Sequence, residues 1–100
     1  MHPKNVRQIV TADDVIVAVP GTAVQGSDLS TTRGLVISTP GSNVGKIYVG
    51  GSTVTNSGGS KRGVTLSPGA TFPVVLPIEN ANLLWVNADN AGDRLAILTM

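Results

Sequence analysis

The sequence contains no cysteine, one histidine and three aromatic residues among its 100 positions. The absence of cysteine excludes disulfides and thiolate metal sites, and it fits synthesis and use in a reducing cytoplasm. His2 stands beside the N-terminus, where a solvated side chain is far more common than a general base or a metal ligand. The composition therefore excludes a catalytic triad that depends on histidine.

Charge is also scarce. Charged residues make up 13% of the chain, with seven basic and six acidic side chains and a net charge of +1. Nucleic-acid-binding proteins usually combine a basic face with stacking aromatics, so we expect no nucleic-acid partner. A weakly charged surface repels its neighbours little, which suits a protein that works packed against other molecules.

Long apolar runs are absent as well, and none approaches the length of a bilayer span. The polar, charged start of the chain lacks the apolar region of a secretory signal. We therefore expect a soluble protein with no membrane partner and no targeting signal.

The motifs of common enzymes and metal sites are missing. Ser52 and Ser67 lie beside glycine but outside a Gly-x-Ser-x-Gly frame, and the glycine-rich loops match neither a P-loop nor a dinucleotide fingerprint. Asp89, Asn90 and Asp93 share one loop, but their spacing fits no EF-hand, and these residue types are common in turns. We predict no enzyme activity, no cofactor and no metal.

No amphipathic segment of helical period lasts three turns, and proline or glycine interrupts the chain at short, regular intervals. This spacing is typical of a single all-β sandwich or barrel. Beyond the hairpins described next, we predict strands over residues 6–10, 15–19 (both faces covered), 23–25, 64–66 and 71–76. Because Pro73 cannot donate to a ladder, the last strand should lie at an edge or contain a bulge. Pro68-Gly69 predicts a type II turn.

Two antiparallel hairpins are predicted. In the first, β-branched runs on either side of Pro40-Gly41 pair with each other and require a second sheet to cover their apolar side chains. In the second, residues 83–88 pair with residues 94–99 across the loop 89–93. The apolar side chains that need cover in the first hairpin are Leu35, Ile37, Ile47 and Val49.

The order of these segments resembles a family of small virion proteins of tailed bacteriophages. The shared features are a Leu-Val-Ile strand, Ile-Tyr-Val-Gly-Gly-Ser-x-Val-Thr, a glycine-rich loop, a Leu-x-Pro-Gly turn and a strand pair around Ala-Asp-x-Ala-Gly. The resemblance covers about two thirds of the chain, residues 33–99. The matching residues are Leu35 to Ile37, Ile47 to Thr55, Leu66 to Gly69, Leu83 to Ala88, Asp89, Ala91 and Gly92.

The resemblance implies an antiparallel, jelly-roll-like β-sandwich of about eight short strands. Residues 33–100 would form its body, and residues 1–32 would supply strands or an arm at subunit contacts. It also implies a capsid decoration (cement) protein of the virion, assembled in the host bacterial cytoplasm as a homotrimer on the major capsid protein. A receptor- or glycan-binding module of a tail or head fibre is the alternative. The candidate protein contacts are Pro3, Lys4, Arg7, Val15, Val17, Val19, Lys61 and Arg62.

Overall fold

The computed structural model describes residues 11–57 and 63–100. The strands are β1 (Thr11–Ile16), β2 (Val24–Gln25), β3 (Leu35–Ser38), β4 (Ile47–Gly50), β5 (Val64–Leu66), β6 (Trp85–Ala88) and β7 (Arg94–Thr99), and a 3₁₀ turn (Ala81–Leu83) precedes β6. They form two antiparallel sheets, one with the strand order β1-β7-β3 and the other with the order β2-β6-β4-β5. The predicted all-β sandwich is therefore confirmed. The predicted strand over residues 6–10 lies outside the described residues.

The hydrophobic core lies between the two sheets. Side chains alternate across each strand, so every second residue points toward the facing sheet. The four apolar side chains of the first predicted hairpin are all buried in this core, as expected. Leu84, Val86 and Ala88 are likewise buried on one face, which confirms the face predicted for that segment.

The connections between strands give the sandwich a jelly-roll topology. β1, β3 and β6 are each followed in the chain by a strand of the opposite sheet. After β5 the chain also crosses, and residues 71–76 then run beside β3 through bridges at Ser38–Thr71 and Leu35–Leu76. With that segment as an eighth strand position, the two four-membered layers have the strand order of a jelly roll. β1 and β2 belong to the sandwich, one in each sheet.

Both predicted hairpins are wrong. β3 pairs with β7, and β4 pairs with β5 and β6, so the two arms of the first hairpin lie in different sheets. The same holds for β6 and β7. The physical reason is that a short turn can connect two strands paired in one sheet or two strands in sheets that face each other, and the turn sequence does not distinguish these cases. Here the arms face each other across the core instead of sharing hydrogen bonds.

The strand predicted over residues 15–19 is also displaced. Within the described residues, β1 extends from Thr11 to Ile16 and pairs with β7 from Arg94 to Thr99. Val17 still exchanges backbone hydrogen bonds with Gly92 and Asp93 before the chain crosses to the other sheet. The described residues cover only one face of this run, since Ile16 is 46% exposed.

Residues 71–76 lie at an edge and pair irregularly, as Pro73 predicts. Leu35 and Leu76 exchange backbone hydrogen bonds of 3.0 and 2.7 Å, and the residues between the two bridges do not form a regular strand. Gly34 permits this approach: its φ is +130°, and an added Cβ would lie 2.1 Å from the Leu76 carbonyl oxygen. The predicted turn at Pro68-Gly69 is consistent with a φ of +80° at Gly69.

Candidate interaction surfaces

The predicted contact residues fall into three groups. Val15 and Val17 are buried in the core of this chain, so their side chains offer no surface to a partner. Val19 is 60% exposed and lies in the connection from β1 to β2. The remaining predicted contacts lie outside the described residues, namely Pro3, Lys4, Arg7, Lys61 and Arg62.

The carboxylates of the acidic loop between β6 and β7 are hydrogen-bonded to other parts of the chain. The Asp93 carboxylate is buried and accepts hydrogen bonds from the backbone N–H groups of Val44 and Gly45, at 2.9 and 2.8 Å. The Asp89 carboxylate instead accepts from the Tyr48 hydroxyl at 2.9 Å. The two carboxylates therefore bind different protein donors. Within residues 11–57 and 63–100, no three potential metal-ligating side chains lie together.

The outer face of the four-stranded sheet is covered by the chain itself. Asn87 is fully buried there; its Oδ1 accepts from the Gly21 N–H at 2.9 Å, and its Nδ2 donates to the Val54 carbonyl at 3.2 Å. Asn56 Nδ2 donates to the Ala88 carbonyl at 2.9 Å. Connections from both ends of the sheet thus close over this face, and they bury Tyr48.

The outer face of the three-stranded sheet is open in the described structure. Ala12, Leu98 and Val36 lie side by side across its three strands, and Leu98 is 38% exposed. Together with Ser38, Thr71 and Ala96 they line a shallow concavity of about 230 Å³. We call this surface, made of Ala12, Val36, Ser38, Thr71, Ala96 and Leu98, the open face.

Charges beside the open face neutralise each other. Arg94 and Asp14 form an ion pair with an N–O distance of 3.4 Å on the same side of the sheet, and both side chains are partly exposed. Such an exposed pair contributes little to stability. Together the two side chains carry no net charge.

Four of the connections that cross between the sheets, those after β1, β3, β5 and β6, lie at the same end of the sandwich. We call this end, made of residues 17–23, 39–46, 67–70 and 89–93, the arch end. Backbone hydrogen bonds join neighbouring connections, as from Gly92 to Val17 at 2.9 Å and from Gly69 to Thr39 at 3.1 Å. The Asp93 carboxylate joins the two central connections. The arch end is therefore one bonded unit.

The fold and these surfaces define a jelly-roll β-sandwich domain. No family model, no curated protein and no solved structure matches the chain. Among the described residues, no helix has the length and hydropathy needed to cross a membrane.

Sequence reasoning missed the open face and Val44, although the predicted contact Val19 does lie at the arch end. Leu98 and Val36 lie in runs that are apolar at successive positions, so alternation could not tell their outward side chains from buried neighbours such as Ile97. Val44 lies in a connection without periodicity. The usable signals were Asn43, directly before Val44, and Asp93 in the loop after β6. Side chains of these two types can fix a loop by bonding to backbone groups.

Proposed function

We propose that this protein is a capsid decoration (cement) protein of a tailed bacteriophage, which binds the outer surface of the head and bridges major capsid subunits. The proposal combines the family resemblance of residues 33–99 with one structural observation, the open face. Sheet faces of a sandwich usually carry polar side chains on the solvent side. Among residues 11–57 and 63–100, no segment covers the row of Ala12, Val36 and Leu98, and an exposed apolar row of this kind supports contact with another molecule.

We assign the open face to contact with further copies of this chain, in a homotrimer. The neutral ion pair beside it removes like-charge repulsion between neighbouring copies. The exposed Leu98 projects next to a concavity lined by small side chains such as Ala96 and Ser38. A projecting side chain and a recess at different points of one face allow the head-to-tail contact that a closed ring of three copies requires.

Leu98→Asp tests this assignment. The added carboxylate should weaken self-association at least about tenfold, because a side chain of leucine size contributes more than about 1.4 kcal/mol when buried. Light scattering across a concentration series gives the oligomeric state. Leu83→Asp is the matched control, since Leu83 is 53% exposed in the 3₁₀ turn, away from the open face. A wild-type chain that stays monomeric at high concentration would contradict the assignment.

The cement role is mechanical. A rigid β-module that spans several capsid subunits adds interfaces that must break before the shell opens, and several linked copies multiply modest contacts through avidity. Particles assembled without the protein should therefore lose density on the outside of the head and release DNA at a lower temperature. Cryo-electron microscopy and a thermal release assay measure both. Unchanged density and unchanged release would refute the proposal.

The fibre alternative has its own supporting observation. The bond from Asn56 Nδ2 to the Ala88 carbonyl brings the loop after β4 next to the loop 89–93, so two polar loops share one region. A recognition site for a host receptor or glycan would need such convergence. Glycan-array and cell-adsorption assays separate the two functions, because a cement protein should bind heads and ignore host surfaces.

A further inference from the structure

Val44 is the most exposed large apolar side chain in the described part of the chain, with 77% of its surface in solvent. It lies at the arch end, in the connection from β3 to β4. A single exposed valine needs no explanation by itself. The way in which its loop is held makes this one informative.

Two polar side chains, both almost fully buried, fix the backbone around Val44. Asn43 Nδ2 donates to the Arg94 carbonyl at 2.8 Å, and Asn43 Oδ1 accepts from the Arg94 N–H at 3.1 Å. Asp93 accepts from the Val44 and Gly45 N–H groups. Burying such groups costs free energy unless they are bonded, so this loop is built rather than left to fluctuate.

The result is a preorganised apolar projection. Valine has one side-chain torsion, and the backbone beneath it is already fixed, so little conformational entropy remains to be lost on binding. Among the described residues near it, the Asp93 and Asp89 carboxylates have protein donors, and Lys46 is exposed. A surface complementary to this loop would combine an apolar recess with a carboxylate near Lys46.

The arch end and the open face point in different directions. The open face lies on the flat side of the three-stranded sheet, whereas the arch end lies where the strands terminate. Copies that contact each other through the open face would therefore leave the arch end accessible. A protein that joins copies of itself to a shell needs two such separate surfaces.

We infer that the Val44 loop is the surface that binds a major capsid subunit, with the valine side chain in an apolar recess of that subunit. This inference rests on the proposed function. It adds the location of the shell contact, which is distinct from the open face.

The test measures binding of purified protein to empty heads that were assembled without it. Val44→Asp should raise the dissociation constant about tenfold or more, because the free energy of burying a valine side chain corresponds to that factor. Leu83→Asp replaces another exposed apolar residue with aspartate, at the end of the sandwich opposite the arch end. This variant should bind heads as tightly as wild type. Light scattering and a melting temperature within about 3 °C of wild type confirm that each variant keeps its assembly and fold.

The outcomes separate the two claims. If the wild-type protein does not bind heads, the proposed function fails. If the wild type binds and Val44→Asp binds equally well, the shell contact lies elsewhere and only this inference is overturned. Should Val44→Asp unfold, Val44→Ser provides the same comparison without a buried charge, and equal binding by that variant overturns the inference.

Discussion

Asp93→Ala is expected to lower the free energy of unfolding by about 3 kcal/mol. The carboxylate is 4% exposed and accepts from two backbone N–H groups of the neighbouring connection. Its removal leaves both donors without their acceptor and separates the two central connections of the arch end. Urea denaturation measures the loss, and amide hydrogen exchange at Val44 and Gly45 should accelerate.

Asp14→Ala is the matched control for this prediction. Asp14 also carries a bonded carboxylate, but its ion pair with Arg94 is exposed, and its loss should cost between about 0 and 1 kcal/mol. If both variants lose less than about 1 kcal/mol, the buried carboxylate does not hold the arch end together.

The side of each strand that faces the core could be predicted from the sequence, because alternation is a local property. Leu35, Ile37 and Ile47 show it clearly, and all three are buried. The positive φ of Gly69 followed from Pro68-Gly69 for the same reason, since a turn type depends on its own two residues.

Strand partners could not be predicted, because they depend on residues far apart in the chain. Ile37 lies opposite Ile97 in the sheet, whereas the sequence suggested a partner across the nearby Pro40-Gly41 turn. Both arrangements bury the same apolar side chains. In the observed fold the Asn43 side chain also bonds the Arg94 backbone, a contact between residues far apart in the chain.

The exposed residues of the interaction surfaces could not be predicted from the sequence, because exposure also depends on distant parts of the chain. Val17 and Val19 look alike in the sequence, yet one is buried and the other is exposed, because the chain turns away from the three-stranded sheet after the backbone bonds of Val17 to Gly92 and Asp93. Leu98 lies in the six-residue run of β7, where burial alternates although most side chains are apolar. Exposure at such positions depends on whether another segment covers the outer face, which is a property of the whole fold.

Asn87 provides a second test, of what holds the connections over the outer face of the four-stranded sheet. It is a fully buried polar side chain on the outer face of the four-stranded sheet, between the connections that contain Gly21 and Val54. An apolar residue at this position could pack there but could not bond either connection. The Asn87 amide therefore joins the two connections that lie over this face.

Asn87→Ala should lower the free energy of unfolding by about 3 kcal/mol, because the Gly21 N–H and the Val54 carbonyl lose a buried partner and a small cavity forms. Thermal and urea unfolding measure the loss, and hydrogen exchange should rise at Gly21. Asn82→Ala is the control: Asn82 bonds through its backbone in the 3₁₀ turn, and its replacement should change stability by less than about 0.5 kcal/mol. Equal stability of the two variants would show that the connections cover this face without the Asn87 amide.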